Sequence, residues 1–193
     1  KALADGTLIG YGNDETVVHS ADGETHDAWW ASSSMSGLLK VLDQLFASGN
    51  VSSPALDSAT KHWDTIYVSR YYNWHPGSYK GAILYESSYE LRPDAPVDAF
   101  DTLSRNIIVP VLEKLFADGT VTEYEIDEQA IHSQAPGSFS IISVCPSPDG
   151  VDKINAAIAE AMKAQPLINP AFASVTNPSG HRDALYRGEG TFK

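Results

Sequence analysis

Apolar positions recur at helical spacing in two stretches of the chain: Met35, Leu38, Leu39, Leu42, Leu45 and Phe46, and later Phe100, Leu103, Ile107, Val111 and Leu115. Each set marks one buried face of an amphipathic helix. Gly49 and Gly119 stand just beyond the two runs, where a glycine in the left-handed conformation ends a helix. The spacing predicts that the first helix begins near Asp27, with Trp29 and Trp30 in its first turn; the competing reading is that the serines from Ser32 to Ser34 break it. Pro110 falls inside the second run. It removes a backbone N–H and crowds the preceding turn, so a kink or two helical pieces are expected there.

After each glycine the period shortens to two. Thr122, Tyr124 and Ile126 lie on one face of a predicted strand, with Glu123, Glu125 and Asp127 on the other. Thr65 to Tyr72 and Ser138 to Cys145 read as further strands. Thr7 to His19 supplies a strand before the first helix, with Gly10, Gly12 and Asn13 marking a bend, and Gly81 to Leu91 supplies one before the second. Ser147-Pro148-Asp149-Gly150 opens another helix, with Val151, Ile154, Ile158 and Ala161 as its buried stripe and Pro166 closing it. A final strand is expected at Phe172 to Val175, followed by a surface-packed tail.

The two helical runs are also related in sequence. Val41-Leu42-Asp43-Gln44-Leu45-Phe46-Ala47-Ser48-Gly49-Asn50-Val51 returns seventy residues later as Val111-Leu112-Glu113-Lys114-Leu115-Phe116-Ala117-Asp118-Gly119-Thr120-Val121, with seven of eleven positions identical. The same offset pairs Asp57 with Asp127 and His62 with His132, so an internal duplication is expected. Element order gives an α+β protein of two tandem ferredoxin-like units, βαββ then βαββαβ. The first covers residues 1–80 and is truncated, the second covers 81–176, and 177–193 form the tail. The two Leu-Phe-Ala-x-Gly-x-Val helix ends, each followed by a strand, resemble the dimeric α+β barrel superfamily. The stretch from Glu123 to His132, with Pro136-Gly137 and the strand beyond, is similar to bacterial proteins predicted to be exported. The resemblance implies antiparallel sheets packed as an α+β barrel. It leaves the reaction open, because that superfamily holds monooxygenases, cyclases, haem-degrading enzymes and proteins without known activity.

Composition narrows the partners. The 193 residues carry 25 acidic and 13 basic side chains, a formal net charge of -12, with the basic residues scattered. Nucleic acid, which needs clustered Lys and Arg, is excluded as an expected partner. No apolar stretch reaches the roughly 20 residues that span a bilayer, so no membrane span is expected. The one cysteine, Cys145, permits neither an intrachain disulfide nor a cysteine-based zinc cluster. The chain begins at Lys1 without an initiator Met, which with the scarcity of cysteine gives a secreted or periplasmic location as the expectation.

Candidate chemistry rests on few residues. His62 and His132 occupy matching places near strand ends, and a neutral imidazole serves as general base near pH 7; the competing reading is that both merely terminate their strands. Arg70 alternates with Ile66, Val68 and Tyr72 on one predicted face, where it would clamp a carboxylate or polarise a carbonyl with Tyr72 as second donor, or else form a structural ion pair. Trp63, Tyr67 and Trp74 enrich the same region in aromatics and are expected to bind a ligand, unless they are core or interface. The histidines fit no tight metal-ligand spacing, and no nucleotide loop or nucleophile elbow is present, so neither metal nor cofactor is expected. Three functions fit: an exported α+β-barrel binding or interaction module whose ligand the sequence does not name, a small hydrophobic molecule being one candidate; a cofactor-free monooxygenase- or cyclase-like enzyme acting on a small hydrophobic substrate; and a structural subunit of an extracellular assembly. A homo-oligomer is expected.

Overall fold

The computed structural model describes residues 1–19, 23–49, 54–129, 131 and 137–193. The alternating segments become seven strands: β1 (Gly10–Thr16), β2 (His26–Ala31), β3 (Tyr67–Trp74), β4 (Gly77–Glu90), β5 (Glu123–Gln129), β6 (Ser138–Cys145) and β7 (Arg182–Phe192). Every pairing is antiparallel, and the strands form one continuous sheet in the order β2-β1-β7-β4-β6-β5-β3. The helices are α1 (Met35–Ser48), the short α2 (Pro54–Asp57), α3 (Ala99–Leu103), α4 (Val109–Ala117), α5 (Asp149–Ala164) and α6 (Ile168–Val175). From β4 to β7 the chain runs βαββαβ with spatial order β7-β4-β6-β5, the ferredoxin-like arrangement. The β1–β2 hairpin extends this sheet past β7, and β3 extends it past β5.

Several local predictions hold. Gly49 and Gly119 have φ of 71° and 78°, and each donates its N–H to the carbonyl of the phenylalanine three residues back, ending α1 and the α4 turn. Pro110 does split its helix: α3 passes into a π turn at Ser104–Ile108, and α4 begins with the proline in its first turn, where a missing N–H is harmless. Between the sheet and the helices lies the apolar core, with Phe100, Leu112, Leu115, Tyr124, Ile126, Phe139 and Ile154 buried together. Cys145 is buried and unpaired against the start of α5, and burial with the nearby Asp149 charge pushes its thiol up to about 11.

Other predictions are overturned. Asp27, Trp29 and Trp30 lie in β2, not in a helix; Ser34 caps α1 by accepting from Gly37 N at 3.1 Å, so the serines do break the run. The aromatic side chain of Trp29 finds its burial against Phe192, at 5.2 Å between ring centroids, which only an extended β2 allows. Gly10 and Gly12 make no bend and lie within β1. Phe172 to Val175 belong to α6, and the expected tail is β7, an internal strand of the sheet. The two related helices also have unlike surroundings. Leu115 is buried in the core, whereas Leu45 lies outside it and α1 leaves Leu39 and Phe46 exposed. No helix among the described residues is long and apolar enough to cross a membrane.

Candidate functional site

The sheet curls strongly. Between β3 and β7 lie β5, β6 and β4, which in a flat sheet would hold them about 19 Å apart. Yet Trp74 of β3 donates its Nε1–H to the carbonyl of Lys193 at 3.1 Å, and its ring stacks on Phe192 of β7 with centroids 6.0 Å apart. The side chains turned away from the helices therefore line a concavity, in which Asp14, Glu123 and Asp127 are buried while Asp27, Tyr67 and Tyr72 stay exposed.

One end of this concavity is aromatic. Trp29, Phe192, Trp74 and Tyr72 form a ladder of stacked rings contributed by β2, β7 and β3, with centroid spacings of 5.2, 6.0 and 5.6 Å. The ladder lies over Gly10, Gly12 and Gly190; a Cβ on Gly12 would stand 2.6 Å from the Trp29 ring, and one on Gly190 2.6 Å from the Tyr79 hydroxyl.

The remainder is acidic. Strand register puts Asp14 of β1 opposite Asp27 of β2, and Glu123, Glu125 and Asp127 of β5 opposite Val144, Ile142 and Ser140 of β6. Glu86 of β4 shares that face, accepting from Ser140 Oγ at 2.7 Å and Ser88 Oγ at 2.9 Å. Ser69 donates to Glu125 at 2.9 Å, and the Tyr186 hydroxyl bonds Glu24 in the β1–β2 turn. Glu123, Asp127 and Asp14 are only 5, 3 and 5% exposed. Among the described residues no ion pair joins Lys, Arg or His to any of these carboxyls.

Burial without compensation favours the neutral acid. Desolvation, reinforced by the charge of Asp27, pushes Asp14 up to about 7, with the nearby Trp29 indole offsetting part of the rise. Desolvation and neighbouring carboxylates hold Glu123 and Asp127 well above the usual range and raise Asp27 and Glu125 too. Tyr67, at one edge of the same face, is pushed up to about 12 by burial and by the charges of Glu86 and Asp127.

This has a consequence for stability. Folded Asp14 keeps its proton up to about pH 7 whereas an unfolded aspartate loses it near 3.8, so the folded state binds more protons in between and stability falls as pH rises through that window. Each pH unit there costs at most about 1.4 kcal/mol, and partial solvation trims the total. Asp14→Asn is expected to exceed the wild type by about 2 kcal/mol at pH 8 and to match it near pH 4, as read by urea unfolding. A wild-type stability that rises from pH 5 to pH 8 would contradict the buried, neutral Asp14.

The residues singled out by sequence are dispersed. His62 follows α2 in an irregular segment, not a strand end, with its exposed ring 3.6 Å from Asp64, and Trp63 beside it is half exposed. Asp57 lies in α2 and not in a strand. His132 lies outside the described residues. A β-bulge between Ser69 and Tyr71 makes Arg70 the extra residue of β3, so Arg70 and Tyr72 point to opposite faces instead of sharing one. Arg70 pairs outward with Glu128 at 2.5 Å, which is the structural ion pair. Tyr72 and Trp74 join the aromatic ladder, and Tyr67 edges the acidic region. Among the described residues no histidine stands on the concave face of a strand. The carboxyls of β5 were visible as an acidic face, but its enclosure was not.

Comparison with solved structures agrees with this geometry. A proposed monooxygenase from Lactobacillus acidophilus superposes with a TM-score of 0.59 at 12% identity, covering 94% of this chain and 77% of that one. A second proposed monooxygenase, from Fusobacterium nucleatum, gives a TM-score of 0.55 at 9% identity over 96% of this chain and 78% of that one. The fold is that of the dimeric α+β barrels. A dimeric ferredoxin-like protein of unknown function from Bacteroides fragilis also matches, at 15% identity and a TM-score of 0.42, covering 56% of this chain and 98% of that one. No protein-family model and no curated protein sequence matches the chain. Among the described residues of this α+β barrel, no group of three or more His, Cys, Asp or Glu is placed to hold a metal ion.

Proposed function

We propose that the protein is a small-molecule-binding α+β barrel whose ligand lies on the concave face of the sheet, between the aromatic ladder and the carboxyls. One observation carries this reading. Among the described residues, Asp14 Oδ1, Trp29 Nε1, Tyr79 OH and Asp127 Oδ1 are buried without a well-formed hydrogen bond, the Trp29 indole standing close enough to Asp14 to favour its charged form without completing the bond, and all four stand on this face, each on a different strand. Leaving such a group unpaired costs about 1–3 kcal/mol, which a ligand offering the missing partners recovers. The reading changes the expected ligand. A purely hydrophobic molecule satisfies none of these atoms, so the ligand has an aromatic or apolar body and polar hydrogen-bonding groups.

A second reading, oxygenase- or cyclase-like chemistry on the bound molecule, is favoured by Asp14, because a general base works best with a pKa near the working pH. The likeness to two proposed monooxygenases points the same way.

The test is titration of the protein with simple phenols and simple aromatic amines, read by the Trp29 indole N–H resonance and by thermal unfolding. At a hundredfold excess over Kd, a bound probe is expected to shift that resonance and raise Tm by about 5 °C or more. If neither class moves the Trp29 signal, the concave face is not a binding site.

A further inference from the structure

We infer that the concave face selects a small organic cation, an aromatic ammonium or amidinium compound, over neutral and anionic molecules of the same shape. The inference rests on the concave face being a small-molecule site and assigns the charge of its ligand.

Three observations carry it. The acidic side chains come from β1, β2, β4 and β5 and surround one space, and among the described residues no basic side chain pairs with any of them. Two of the unpartnered atoms are carboxyl oxygens, Asp14 Oδ1 and Asp127 Oδ1, on residues 5 and 3% exposed. Once ionised, these oxygens are acceptors that a cationic N–H donor serves best. Most hydroxyls of the face are already engaged, Ser140 and Ser88 on Glu86, Ser69 on Glu125 and Tyr186 on Glu24, which leaves Tyr79 as the unpartnered buried hydroxyl there among the described residues. A single metal ion is a poorer fit, since no three carboxyls among the described residues converge on one point. A multi-donor ammonium or amidinium spreads its N–H groups over separate acceptors.

Binding also moves a proton. Asp14 is faced by Asp27 and Trp29 of β2, Tyr79 of β4 and Glu123 of β5; Asp127 is faced by Glu125 on its own strand, Tyr67 and Ser69 of β3, Glu86 of β4 and Ser140 of β6. All the charged members of both sets are acidic. As the cation arrives, a protonated carboxyl loses its O–H proton to solvent and the resulting carboxylate accepts from the ligand N–H. No electrons are transferred and charge is conserved.

The experiment compares 2-phenylethylamine, 2-phenylethanol and 3-phenylpropionate by calorimetry with the intact protein at pH 6.5, in two buffers of different ionisation enthalpy. The amine is expected to bind at least tenfold more tightly than the alcohol, the carboxylate to show no binding, and the amine alone to release protons, between about 0.3 and 1 per site. Asp127→Asn, checked for native circular dichroism, should shrink the amine-to-alcohol ratio towards one. The wild-type comparison needs no variant, so the outcome does not depend on that protein folding. Alcohol binding as tight as amine binding, or amine binding without proton release, overturns the charge assignment while leaving the concave site intact. Failure of all three probes overturns both.

Discussion

Removal of residues 181–193 is expected to abolish the cooperative fold. β7 pairs with β1 from Gly10 to Thr16 and with β4 from Gly77 to Ser88, so it is the only sheet connection between the β1–β2 hairpin and the other four strands among the described residues. A hairpin without a third strand is marginal in water, and β4 would be left as a long unpaired edge. The deletion also takes away buried Tyr186 and the Phe192 ring on which Trp29 and Trp74 stack. Thermal unfolding followed by circular dichroism should lose its sigmoidal transition, and the amide resonances of β1 and β2 should collapse to disordered positions. A shortened chain that melts cooperatively near the full-length Tm would show that β7 is dispensable.

Gly12→Ala is expected to cost about 3 kcal/mol, lowering Tm by about 9 °C. The new Cβ would stand 2.6 Å from the Glu189 carbonyl oxygen and 2.6 Å from the Trp29 ring. The carbonyl is fixed in the β1–β7 ladder, and the ring is fixed by its stack on Phe192, so neither can retreat without opening the sheet. The fluorescence of Trp29 should move to longer wavelength as the ring is driven out. Asn13→Ala, one residue on and facing outward, is the control and should change stability by less than about 0.5 kcal/mol. If Gly12→Ala is as mild as the control, the close packing of the ladder over β1 is wrong.

What was legible beforehand follows from how local each signal is. The glycine stops at Gly49 and Gly119, the split at Pro110 and the strand at Ser138–Cys145 depend on backbone preferences within a few residues, and they appear where expected. Trp29 misled because its neighbours allow a helix, and its partner, Phe192, lies more than 160 residues away. Arg70 and Tyr72 misled because simple alternation puts them on one face, and a single bulged residue reverses the parity of everything after it. β7 reads as a polar, glycine-containing tail because its buried positions include Gly188 and Gly190, whose value is the room they leave for Asp14 and Tyr79.

The site follows the same logic. Glu123, Glu125 and Asp127 alternate with Tyr124 and Ile126, which settles that one face of β5 is acidic and the other apolar. In a flat antiparallel sheet with helices on one side, that acidic face would meet water and mean nothing further. The amino-acid order by itself determined the helix ends, the α+β class and the faces of individual strands, because these arise from torsional preferences and from a periodicity that each segment carries alone. Only the tertiary structure decided that β7 joins the hairpin to the rest and that the sheet curls until Trp74 meets Phe192. Curvature sums small twists over seven strands, so no one segment encodes it, and it is curvature that takes part of an acidic surface out of water.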